Sequence, residues 1–144
     1  MKKCFPCYLA LVLFLILAFH AWATITSAYF TFLWLDIPMH FSGGAWIAAA
    51  AYYFFFVRES VYKISFPPWI GVLFLVGTSI FVGVCWEFFE YGMDVISERY
   101  LGGYAIHQEG LRDTLGDLFF DIAGAFLTAA YFLYKKPVNP YEYK

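Results

Sequence analysis

Eleven carboxylates and three histidines stand in a 144-residue chain that is 62% hydrophobic and only 14% charged. The carboxylates are not scattered. Glu87, Glu90, Tyr91 and Asp94 are spaced i, i+3, i+4 and i+7, which puts them on one face of a helix. Asp113, Asp117 and Asp121 step by four and form a second stripe, which Gly124 and Thr128 continue. His40, Gly43, Gly44, Ile47, Ala48 and Ala51 form a third, with Asp36 one turn before His40. Asp, Glu and a single His are the ligand set of a divalent cation such as Mg2+, Mn2+, Ca2+ or Zn2+. The i, i+3 or i+4 spacing lets two ligands from one helix reach one ion. Such an ion relieves the repulsion among the carboxylates. It also binds phosphate and activates water, the chemistry of a hydrolase or transferase acting on a lipid phosphate. On this reading Glu87, Glu90, Asp117, Asp121 and His40 are the metal ligands. Asp117, Glu87 and His40 double as acid/base groups, and Arg112, Tyr91 and Asp36 meet the substrate, with Asp94 behind them. There is no HExxH and no Cys/His zinc spacing to name the metal.

The elements that must position these residues are membrane spans. A mean hydropathy of +0.66 and a 24% aromatic content, with 18 Phe, 12 Tyr and 5 Trp, exclude both a soluble domain and a disordered chain. A crossing needs about 20 apolar residues. Four stretches supply it, at about 8–35, 38–57, 68–91 and 114–134, with an outer loop at 95–112. The first is longer than one perpendicular crossing, so it tilts, bends or surfaces near residues 24–27. Asp36-Ile37-Pro38 reads as a helix start, with Asp36 either a cap or a site residue. Pro67-Pro68 opens the third span. The expectation is one all-α domain over 1–144, a four-helix transmembrane bundle. Lys2, Lys3, Arg58, Lys63, Lys135, Lys136 and Lys144 then share a side, against Arg99 and Arg112 on the other, so both termini are cytoplasmic. The acids sort the opposite way, and the outer face is acidic.

Depth sharpens the site. With a 1.5 Å rise, Asp121 lies about 21 Å above Lys135, hence about 9 Å below the outer surface of a hydrocarbon core about 30 Å thick. An isolated carboxylate there costs at least about 2.5–3.5 kcal/mol, so several together must face one another, Arg112, His40, water or a cation. Plainer roles compete. Asp113 suits a cap in the first turn of its helix. Glu98 and Glu109 read as solvated loop charges, and His20 as polar glue to a neighbouring helix. Cys4 and Cys7 read as reduced thiols, and Cys85 as a core residue. The aromatic runs at 52–56 and 131–134 read as interfacial belts. A cleaved signal peptide ending near Ala21-Trp22-Ala23 is the rival to a retained first helix. Ser42 and His40 diverge on a helix, against a Ser-His pair, and basic residues are too few for a nucleic-acid surface.

Three strings, LDIPMHFSGG (35–44), WEFFEYGMD (86–94) and RDTLGDLFFDIAGA (112–125), resemble the pattern of the VanZ-like and YjdF-like small integral membrane proteins. Glu90 and Asp121 stand where VanZ-like members often carry Gln and Asn, so the resemblance is closer to the YjdF type. It implies that His40, Glu87, Asp117 and Gly124 belong together, and it associates the chain with the bacterial envelope. The resulting expectation is a multi-pass protein of the bacterial inner (plasma) membrane. Its outward-facing acidic cavity recognises an anionic envelope lipid or headgroup and, with a divalent cation, processes it. Its partners are membrane lipid and a second copy of itself. The alternatives are a proton- or cation-conducting subunit and a structural polar core without catalysis.

Overall fold

The computed structural model describes residues 4–58, 67–100, 102 and 110–135. Among them every regular element is helical: α1 (Phe5–Ile25), α2 (Ala28–Thr31), a 3-10 turn (Leu33–Leu35), α3 (Asp36–Tyr52) running into a π-helical turn (Tyr53–Val57), α4 (Pro68–Tyr100) and α5 (Leu111–Lys135). Prolines sit where they fit, at the start of α1 and α4 and in the first turn of α3, because a helix leaves its first N–H groups unbonded. The over-long stretch at 8–35 is broken at residues 26–27, where a bend or surfacing was expected. The Thr26 hydroxyl donates to the Trp22 carbonyl at 2.7 Å, and Ser27 takes a left-handed backbone with φ 55°, which turns the chain back into the short α2. The span expected to end at 91 continues to Tyr100, so the first residues of the expected outer loop at 95–112 are helix. Within that loop Gly102 and Gly110 both have positive φ, 65° and 107°, and α5 begins at Leu111 rather than 114. The remainder of the loop, with His107 and Glu109, lies outside the described residues.

Three of these helices, α1, α4 and α5, are long and apolar enough to cross a membrane. α3, α4 and α5 pack into a tight trio, and α1 leans on α3, where the Trp46 indole donates to the Leu9 carbonyl at 2.8 Å. The closest approach is between α3 and α5. A Cβ on Gly124 would meet the Phe41 carbonyl and the Ala45 nitrogen, and one on Gly44 would meet the Asp121 backbone, so only hydrogen fits at either position. Toward the far end of the trio, Ala48, Tyr52, Leu75, Ala125, Ala129 and Leu133 form an apolar core. Tyr52 belongs to that core and not to an interfacial belt: its ring stacks on Phe132 at 4.6 Å and on Phe56 at 5.7 Å. Cys85 is exposed on α4 and is not a core residue, since the buried arc of α4 runs through Leu75, Ser79, Gly83, Glu87, Glu90 and Asp94. Phe88 and Phe89 lie outside that arc, 72% and 53% exposed, on the apolar outer surface of the bundle.

Candidate functional site

The three stripes meet. His40, at 6% exposure, stands at the junction of α3, α4 and α5 with carboxylates on both sides of its ring. Its Nε2 lies 3.6 Å from Asp36 Oδ1 and 3.8 Å from Asp117 Oδ1, and its Nδ1 lies 3.5 Å from Asp121 Oδ2. Two overlapping sets place one ligating atom per residue within 4.8 Å of each other: Asp36, His40 and Asp117, and His40, Glu87 and Glu90. Glu87, Glu90, Asp94, Asp117 and Asp121 are all buried. Asp36 does not cap α3. Leu35 occupies the cap position without a side-chain bond, and the Asp36 carboxylate reaches His40 one turn on. Helical spacing explains that choice, since i and i+4 side chains lie over one another.

Asp121 is held most closely. Its carboxylate sits in a notch made by Gly83 and Gly43, where a Cβ on Gly83 would collide with Oδ2. Oδ2 is fully buried, and the polar group it faces is the His40 Nδ1 at 3.5 Å. One turn deeper on α4 than Gly83, the Ser79 hydroxyl donates to the Gly44 carbonyl at 3.3 Å. The glycines therefore serve two ends: they let α3, α4 and α5 close up, and they make room for one carboxylate among them.

Two expected site residues are elsewhere. Tyr91 is 60% exposed: at 100° per residue it lies about 40° beyond Glu87, on the side away from Glu90, and so leaves the buried arc. Arg112 is exposed on the first turn of α5, a full turn before Asp117, and is not among the side chains gathered at His40. Asp113 is half-buried in that first turn, where a helix N-terminus favours a carboxylate. Glu98 is exposed, as a solvated charge would be. Three residues at the edge of the site, His20, Tyr29 and Trp86, were not selected by spacing. His20 Nδ1 lies 3.0 Å from the Tyr29 hydroxyl, and its ring packs edge-on against Trp86 of α4 at 5.2 Å. A cavity of about 200 Å³ opens beneath this contact, between α1, α3 and α4, and reaches Asp36, His40, Glu90 and Asp121. The turn at Ser27 is what returns Tyr29 to His20, and the only trace of it in the sequence is the run of small polar residues at 24–27.

A family model described as a predicted membrane protein, DUF2238, matches residues 2–136. The chain belongs to the DUF2238 family. A relative from Thermotoga maritima, described as an uncharacterized protein, is 31% identical over 113 residues, which is 78% of this chain and 54% of the relative. The chain thus spans about half the length of that relative. No solved structure matches the chain. Membership makes this DUF2238 protein a membrane protein, in agreement with its three apolar helices.

Proposed function

We propose that the His40 cluster is a divalent-cation site through which this membrane protein recognises an anionic lipid headgroup. The observation that carries it is the convergence of two ligand sets on one imidazole from three helices, beside a mostly apolar cavity that reaches Asp36, His40, Glu90 and Asp121. Buried carboxylates this close repel one another unless they share protons or a cation, and no described Lys or Arg is buried beside them. Glu87, Glu90, Asp117 and His40 supply ligands of mixed oxygen and nitrogen, with Asp121 and Asp36 closing the shell. A cation so held leaves positions for phosphate oxygens and for water. With a cation bound, hydrolysis of the headgroup would need a carboxylate left off the ion, Asp117 or Glu87, to take the proton of the attacking water as the phosphorus–oxygen ester bond breaks.

The membrane setting belongs to the same reading. α3 with its π-helical continuation covers residues 36–57, enough for a fourth crossing, which leaves the basic termini cytoplasmic and the cluster opening outward. The resemblance of the three strings to VanZ-like and YjdF-like proteins favours the bacterial plasma membrane as the site of action. The close-packed apolar core deeper in the bundle favours binding over conduction, since a polar path would have to pass Leu75, Ala125 and Ala129, all at 0% exposure.

The test is equilibrium Mn2+ binding to the purified full-length protein in detergent micelles, beside Asp117→Asn. The wild type binds, and the variant inserts and elutes normally but loses at least about tenfold in affinity. A wild type that takes no Mn2+, with a variant that is merely less stable, would instead mark a structural polar core. Saturable ion flux in proteoliposomes would mark a conducting subunit.

A further inference from the structure

The cavity beside the cluster is built unlike a water-filled cleft. Its polar groups gather around His40, and the rest of its wall is hydrocarbon: Leu13, Ile16 and Leu17 from α1, Met39 and Ile47 from α3, and Val82 from α4. Ile47 lies one turn deeper than Gly43, and Leu13 two turns deeper than His20, so the apolar part extends away from the cluster along the helices. The His20–Tyr29 pair and Trp86 cover the upper end. Leu17 and Val82 stand at the rim, 48% and 40% exposed on the outer surface of the bundle, so the mouth faces sideways between α1 and α4. At about 200 Å³ the cavity is smaller than the 300–1,000 Å³ or so of a pocket for a compact drug-sized ligand. It has room for a short stretch of one hydrocarbon chain and not for a second, so the rest of the tail stays in the bilayer at the lateral mouth. At its polar end the buried Asp121 carboxylate faces His40, with Oδ2 3.5 Å from Nδ1.

We infer that this cavity receives the chain of a single-chain lipid phosphate that enters laterally from the bilayer and sets its headgroup at the His40 cluster. The inference rests on the cation reading above, because an acidic cluster meets a phosphate only through a cation. It adds the chain number, the route and the side chains that measure the tail. Apolar burial drives the tail inward, and phosphate oxygens complete the coordination of the ion.

The experiment uses the full-length protein in detergent micelles loaded with Mn2+, and titrates hexadecyl phosphate against dioleoyl phosphatidic acid, which has two chains. The wild type binds hexadecyl phosphate and binds the two-chain lipid at least about tenfold more weakly. Val82→Trp at the mouth and Leu13→Trp at the deep end each weaken hexadecyl phosphate by about tenfold or more and leave Mn2+ affinity unchanged. Leu73→Trp, on the exposed face of α4, changes neither. Equal affinity for the two lipids, or tryptophans without effect on the alkyl phosphate, overturns the inference while the cation site stands. A wild type that takes no Mn2+ overturns the cation reading and this inference with it.

Discussion

At His40 both ring nitrogens face carboxylates, within 3.5 to 3.8 Å, and Glu87, Glu90, Asp94, Asp117 and Asp121 are all buried. Such a group of charges is costly when stripped of its cation, because each carboxylate is desolvated and repelled by the others. The sign of a substitution effect follows. In EDTA, Glu90→Gln removes one desolvated like charge and raises the thermal midpoint, or at least does not lower it. With saturating Mn2+ the order reverses, because the wild type gains ligand-linked stability that the variant has lost. Thermal unfolding in detergent, with and without Mn2+, reads both signs; a structural polar core would lower the midpoint of Glu90→Gln in both conditions. Most of these residues were legible in the sequence, because a 3.6-residue period places Glu87 with Glu90 and Asp117 with Asp121 whatever the tertiary structure. Tyr91 and Arg112 were not. Which edge of a helical stripe is buried depends on where the neighbouring helix lies, and periodicity carries no such information.

At the scale of elements, the site exists because α3 and α5 touch backbone to backbone. Gly124→Ala drives a methyl into the Phe41 carbonyl and the Ala45 nitrogen, neither of which is a flexible side chain. It is expected to cost about 1–3 kcal/mol of stability by overpacking, and to splay Asp117 and Asp121 away from His40. Gly77→Ala meets nothing within 4 Å and gains up to about 1 kcal/mol from helix propensity. Thermal unfolding of the pair, followed by Mn2+ titration, separates them: only Gly124→Ala loses both stability and cation. Equal behaviour of the two variants would contradict the packing described here. The stripes of small residues announced this crossing in the sequence. One element boundary was not so legible. Hydropathy falls after Tyr91, which suggested an end to the third span, but a helix needs no apolar side chains to continue into water, and α4 runs to Tyr100. The turn at Ser27, by contrast, falls where the length of the apolar run at 8–35 and its hydroxyls near 24–27 called for a bend, although neither Gly nor Pro marks it.

The molecule as a whole is divided along its length. One half of the α3–α4–α5 trio is sealed by apolar packing, and the other holds the buried charged side chains of the described residues. α1 stands aside from the trio, anchored by Trp46 to Leu9 and by His20 to Trp86, and encloses the lateral cavity. Composition alone announced a membrane protein, and DUF2238 membership agrees. The division into a charged and a sealed half followed from the positions of the acids. The enclosure by α1 did not, because it depends on contacts between residues far apart in the chain. The most direct test of a cation held at the meeting point of three helices is pulsed electron paramagnetic resonance of the Mn2+-loaded full-length protein. A single imidazole nitrogen coupling to Mn2+ that vanishes in His40→Ala and persists in His20→Ala is the predicted result. A Mn2+ signal with no nitrogen coupling, or one unchanged in His40→Ala, would contradict it.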